Sequence, residues 1–385
     1  MNRRVTWRSG LRKALLLQLL LTVWWLICLS DLCVVAAKEE ESEVVHHVIT
    51  ISGKRRASGR LPFSSSSSSS SSSKPKYAST AVKGKIDYSL YLPSDHDCLL
   101  VAIRSTAGAM FRKNAGLAAA ALRLGFHDCM TKGGGCDASV LTAGEMAHPI
   151  NRRLKVMVGV INEIQRRAAE ACKVVPTKAD TIAAAVIASA EFYGLSCARY
   201  CPFKLGRRDV HPSSKGDDPG TLPSVTDSVS IVLEKMGSLG FSPKEVALYS
   251  LGSHSIGQAS CFLFEDRLNK RQCRLPRDER LDNGRACDLV KVCAAKRNQL
   301  VPFDYITPTK LDTNYLKLVL QRQGLLRIDQ DFGDDARTAG VVRQYASGKG
   351  ERSFHGDYLQ VLVKSLSIGI NGPKSVAPRK YRLTT

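Results

Sequence analysis

Beyond residue 25 the chain has no tryptophan: Trp7, Trp24 and Trp25 are all it contains. It has no N-x-[ST] sequon, so N-glycans are not expected. No stretch sustains the alternation of apolar and polar residues that strands need, which argues against a mainly β architecture. No segment repeats, which excludes a solenoid or array. Acidic residues are in short supply, 35 against 56 lysines and arginines, for a formal net charge of +21. A surface that basic favours polyanions. No nucleic-acid-binding module is visible, so acidic wall or matrix polysaccharide is the expected partner rather than nucleic acid.

The ends of the chain differ from its middle. Arg3, Arg4, Arg8, Arg12 and Lys13 precede an apolar run over residues 14–29, and small residues follow at Ala36 and Ala37. This order predicts a signal peptide over residues 1–37 and hence secretion, to the extracellular space or cell wall. An anchor helix retained in the membrane is the competing reading, because residues 14–37 carry only one charge, Asp31. Removing residues 1–37 takes five basic residues and one acidic, leaving +17. Residues 38–83 read as a linker: an acidic cluster, a basic patch, then ten serines from Ser64 to Ser73, with too little apolar surface to fold. One domain is expected over residues 84–373, mostly helical, with a basic tail over 374–385. Of 12 cysteines, Cys28 and Cys33 lie in the apolar N-terminal stretch; the other ten, in an oxidising compartment, read as disulfides.

Within the domain the most informative stretch is GLAAAALRLGFHDC, residues 116–129. It is rich in good helix formers, so Arg123 and His127, four apart, share one face. An arginine and a titratable imidazole reaching into one space can move a proton and stabilise a departing anion. After a short loop comes Cys136-Asp137-Ala138-Ser139-Val140-Leu141. Together these strings resemble the distal haem segment of the secretory plant-type (class III) haem peroxidases. A second stretch, EVALYSLGSHSIGQASC over residues 245–261, resembles that family's proximal helix.

The resemblance spans about residues 85–371. It implies a mainly α haem-peroxidase fold, a helical domain with haem b between a distal and a proximal half. It implies a haem-dependent peroxidase that reduces hydrogen peroxide, oxidises phenolic donors in one-electron steps, and works as a monomer. Arg123, His127 and Asn151 would be catalytic, with Phe126 beside them. His254 would be the axial iron ligand, Phe303 its ring neighbour and Asp329 the acceptor of its N–H. Pro223, in Leu222-Pro223, matches an element near the haem edge where substrate binds.

Two calcium sites are implied. Asp128, Asp137 and Ser139, supported by Glu145, would serve the distal one, and Ser255, Asp304, Thr307 and Asp312 the proximal one. The loop between Cys129 and Cys136 has six residues where the family usually has four, which leaves open which of its carbonyls take part. Implied bridges are Cys98–Cys172, Cys129–Cys136 and Cys261–Cys293. Lys178 replaces a usual half-cystine whose partner is missing too. Cys197, Cys201, Cys273 and Cys287 are outside the family pattern and allow three pairings, of which a local one is preferred. Asp180 and LGRRD, residues 205–209, read as scaffold, a buried carboxylate meeting a guanidinium.

Overall fold

The computed structural model describes residues 93–133, 135–197, 203–211, 213–370 and 375–376, all within one compact unit, Ala81–Thr385. The expected signal peptide and linker, Cys201 and most of the expected basic tail lie outside the described residues. Among the described residues no helix is long and apolar enough to cross a membrane.

Helix α1 (Pro93–Lys113) carries Leu99, Ile103, Ala107 and Phe111 at a spacing of four, and all four are fully buried. Such a stripe must be covered. Helices α2 (Ala115–Cys129), α4 (Lys155–Cys172) and α5 (Lys178–Phe192) cover it, while α3 (Ala143–Ala147) lies in the connection. Buried at nearly every position, α5 is the central rod of this half. The α2–α5 approach depends on Gly125, because a Cβ there would come within 2.6 Å of Val186 Cγ2. Asn114 caps α2 by accepting the Gly116 N–H, which sets where the helix begins.

A short strand β1 (Asp209–Val210) leads to the second half: α6 (Val229–Ser238), α7 (Pro243–Ser253), β2 (Gln258–Ser260), α8 (Asn283–Cys293), β3 (Leu300–Pro302), α9 (Asn314–Leu320), α10 (Arg327–Asp334), α11 (Ala339–Ala346), α12 (Gly348–Ser365) and β4 (Ser375–Val376). Helix α7 starts on a capping box, Ser242 and Glu245, with Pro243 at the first helical position. It packs against α6, α9, α10, α11 and α12. The strands form two antiparallel pairs, β1 with β4 and β2 with β3. The architecture is thus mainly α, in two helical groups. They meet where Phe126 of α2 packs on Tyr249 of α7, ring centroids 5.8 Å apart, and where Arg153 donates to Ser260 Oγ at 2.7 Å.

Four disulfides tie the described residues. Cys98–Cys172 joins the start of α1 to the end of α4, Cys129–Cys136 closes the loop after α2, Cys261–Cys293 links the turn after β2 to the end of α8, and Cys273–Cys287 pins a loop to α8. That last bridge is the local pairing; Cys197 is also disulfide-bonded.

Arg207 and Asp180 are both fully buried, at 2.9 Å, and the Asp180 carboxylate also accepts the Gly206 and Arg207 N–H groups. Arg207 Nε donates to Leu366 O, which fastens the end of α12 to the first half. Removing one partner strands the other charge without solvent. We expect Asp180→Ala to lower unfolding free energy by about 3–5 kcal/mol. Denaturant melts check this, and a loss under ~1 kcal/mol would mean the pair is solvated.

Candidate active site

Near the end of α2, Arg123 Nε donates to His127 Nε2 at 3.2 Å, the cross-turn contact that i, i+4 spacing allows. On the ring's other side, His127 Nδ1 lies 2.6 Å from Asn151 Oδ1. Asn151 sits in the 3-10 stretch Pro149–Leu154, and its Nδ2 donates to Glu145 O at 2.9 Å. That bond orients the amide with its oxygen toward the imidazole. His127 must then carry its proton on Nδ1, which leaves Nε2 unprotonated to accept from Arg123. Burial, with Arg123 beside it, pushes the His127 pKa down to about 3 against the opposing hydrogen bond from Asn151. The ring is neutral at neutral pH. Arg123 opens onto the surface yet stands among enough protein, with Arg153 nearby, that its pKa is lowered too. Its Nη2 donates to Ile150 O at 3.0 Å.

His254 is the residue that ends α7. Its Nδ1 lies 2.9 Å from Asp329 Oδ1, and Asp329, on α10, is fully buried. Phe303 stacks on the His254 ring, centroids 4.1 Å apart and planes 3° from parallel. Asp329 has a second partner absent from the sequence reading: Tyr315 Oη donates to its Oδ2 at 2.6 Å and accepts the Leu325 N–H at 3.0 Å. Burial first, then the Asp329 charge, pushes the Tyr315 pKa well up, so it stays protonated and donates. A tyrosine inside the apolar run NYLKLVL was the available signal, since a buried phenol needs a hydrogen-bond partner. His254 Nε2 makes no hydrogen bond among the described residues, although 29% of the side chain is exposed.

Around the distal loop, oxygen atoms crowd together. Asp128 accepts the Ala138 and Val140 N–H groups, Asp137 accepts that of Ser139, and Glu145 Oε2 accepts that of Asp217. Ser139 Oγ lies beside Asp137 and Glu145 without a well-formed hydrogen bond, and Glu145 Oε1 is buried with none. Burial raises Asp128 well above the usual carboxylate range, with the Asp137 charge adding to it, and burial lifts Glu145 to about 7. Near α9, Asp304 accepts from Ile306 N, Thr307 N and Thr307 Oγ, and Asp312 accepts from Asn314 N. Ser255 Oγ is buried and donates to Gly252 O. Burial raises Asp312 as well. Both sets are hard oxygen donors, which suits Ca²⁺. Among the described residues no three His, Cys, Asp or Glu side chains converge, so a cation would also need hydroxyl and carbonyl oxygens.

The sequence profile of the family described as "Peroxidase" matches residues 103–348. A lignin-forming anionic peroxidase from Nicotiana sylvestris is 31% identical over 281 residues, covering 70% of this chain and 83% of its own. Peroxidase 5 of Arabidopsis thaliana is 30% identical over 292 residues, 72% and 87% of the two chains. A cationic peroxidase of Sorghum bicolor is 32% identical over 272 residues, 68% and 72%. The chain belongs to the plant-type haem peroxidase family. It is a haem-dependent oxidoreductase that acts on hydrogen peroxide.

The residues present suit a peroxidase haem. His254 offers an Nε2 free of hydrogen bonds on a ring whose other nitrogen is tied to a carboxylate, the arrangement a metal-ligating histidine needs. Phe303 and Phe126 supply aromatic surface in the two helical groups. Pro223 is half-buried; Leu222 O before it accepts Lys235 Nζ at 2.9 Å, and that lysine also pairs with Asp227. This part of the peroxidase is therefore clamped to α6.

Proposed function

We propose that this chain is a secreted peroxidase that oxidises phenolic donors by one-electron steps, with Arg123, His127 and Asn151 activating hydrogen peroxide. The observation that carries the reading is the fixed tautomer of His127: Asn151 holds Nδ1–H, and the unprotonated Nε2 accepts from Arg123. His254 would hold haem b, which would supply redox-active iron and the capacity to store two oxidising equivalents. His127 Nε2 would take one proton of hydrogen peroxide and return it to the departing oxygen, which leaves as water. Arg123 donates hydrogen bonds to the charge that develops as the O–O bond breaks. Two phenols then each give up one electron and one proton, and the second oxygen leaves as water. Asp329 holds His254 Nδ1–H and keeps the ligand electron-rich. Pro223 would border the donor site.

The disulfides and the signal-like N-terminus support secretion. The net charge of +17 left after removal of the signal peptide favours retention on acidic wall polysaccharide, and a monomer is sufficient for the chemistry. The test is the absorption spectrum of the secreted, haem-loaded protein before and after one equivalent of hydrogen peroxide, followed by phenol turnover. Rapid spectral change and turnover are expected; bound haem without turnover would overturn the reading.

Calcium belongs to the same proposal. Asp128, Asp137, Ser139 and Glu145 would serve one ion, and Ser255, Asp304, Thr307 and Asp312 the other. Glu145 also links a calcium cluster to the catalytic base, since its carbonyl orients Asn151. We expect two calcium ions per active chain by elemental analysis. Chelation should slow peroxide activation, because relaxing Glu145 frees Asn151 to rotate. Active protein without calcium would defeat this.

A further inference from the structure

The segment between β2 and α8 carries charge in an unusual way. Residues 267–277, RLNKRQCRLPR, hold five basic residues and no acidic one. Arg267 is buried and acts as the anchor: Nε donates to Asp278 at 2.9 Å, and Nη1 donates to Leu325 O at 2.8 Å. Its backbone carbonyl accepts the N–H groups of Arg277 and Asp278, which closes the segment into a loop. Asn269 Oδ1 accepts the Arg271 and Gln272 N–H groups, a turn follows with Leu275 N donating to Gln272 O, and Cys273–Cys287 fastens the middle to α8. The other four basic residues, Lys270, Arg271, Arg274 and Arg277, are exposed. Arg271, Arg274 and Arg277 form no ion pair among the described residues. Lys270 reaches only Glu265, at 3.8 Å, and that carboxylate is already bonded to Arg297.

Like charges on a free loop would spread apart. Here a buried ion pair, a disulfide and two turns keep them together on the outside. We propose that this loop is a docking surface for an anionic polysaccharide of the uronate type, a proposal that rests on the chain being a secreted peroxidase. The four basic side chains are exposed, so single contacts are weak and solvent-screened. A polymer with a carboxylate on each sugar meets several arginines at once, and the contacts reinforce one another. Nucleic acid is the poorer match. The loop offers no aromatic ring on which bases could stack, its exposed apolar side chain being Leu275.

The haem-loaded, full-length protein is passed over immobilised polygalacturonate and eluted with a salt gradient, beside Arg271→Gln/Arg274→Gln/Arg277→Gln and a control of equal charge loss, Arg343→Gln/Lys349→Gln/Arg352→Gln. All three control positions are exposed and lie elsewhere, in α11 and α12. The loop variant should bind at least about tenfold more weakly, with a shallower salt dependence, while the control stays near wild type. Equal losses in both variants, or no loss in the loop variant, would overturn the proposal, as would tighter binding of single-stranded DNA than of polygalacturonate. Peroxide and phenol turnover is measured on the same preparations and should be unchanged in the loop variant. A protein that binds polymer but does not turn over would therefore count against the enzymatic reading alone.

Discussion

Replacing His127 with alanine slows the activation of hydrogen peroxide by roughly 10⁴-fold or more while haem stays bound. In the proposed mechanism the side chain serves twice, as base toward hydrogen peroxide and as acid toward the leaving oxygen, and each role is worth roughly 10²–10⁴-fold. Arg123 survives the substitution and keeps part of the charge stabilisation. Nothing around it takes over the proton: Asn151 is an amide, and Glu145 turns its carbonyl, not its carboxylate, toward that amide. Asn151→Leu is expected to lie between wild type and His127→Ala, because the base remains but loses the acceptor that holds its Nδ1 proton. Stopped-flow spectra on mixing with peroxide read both rates. Wild-type rates in His127→Ala would remove the mechanism.

The second large effect falls on the proximal side. Asp329→Asn keeps size and shape but replaces a carboxylate with an amide, which draws the His254 N–H less strongly. Activity should fall about 10–100-fold, the usual cost of losing such an outer partner, and the iron reduction potential should rise. Tyr315→Phe separates charge from scaffolding. It removes the hydrogen bond that Asp329 Oδ2 receives, leaving the carboxylate a stronger acceptor for His254, so the potential should move the opposite way, downward. It also leaves the Leu325 N–H and one carboxylate oxygen unpaired, for a stability loss of about 1–3 kcal/mol. Unchanged potentials with lowered melting temperatures in both variants would make Asp329 and Tyr315 framework only.

What the sequence determined by itself was local or patterned. The Arg123–His127 pair follows from four-residue spacing in an Ala- and Leu-rich run, and the mainly helical character from periodicity and the lack of alternation. Two long motifs identified the family, because each carries several chemically demanding residues in fixed order. The family resemblance implied the Asn151–His127 and Asp329–His254 contacts, but residue spacing and composition did not, and only the tertiary structure puts these groups within hydrogen-bond reach. Asn151 reaches His127 across 24 positions, Asp329 reaches His254 across 75, and nothing in either neighbourhood encodes the approach. Glu145 could be read as a carboxylate near calcium, but its backbone carbonyl as the group that orients Asn151 could not, since every residue has one. Tyr315 was one tyrosine among 11 until the packing of α9 on α10 put its hydroxyl against Asp329. Cysteine spacing left three pairings open, and the closure of residues 267–278 on Arg267 is where Cys273 meets Cys287. Side-chain period and charge are properties of adjacent residues, whereas partnership depends on which helices pack, and packing is settled by the whole core at once.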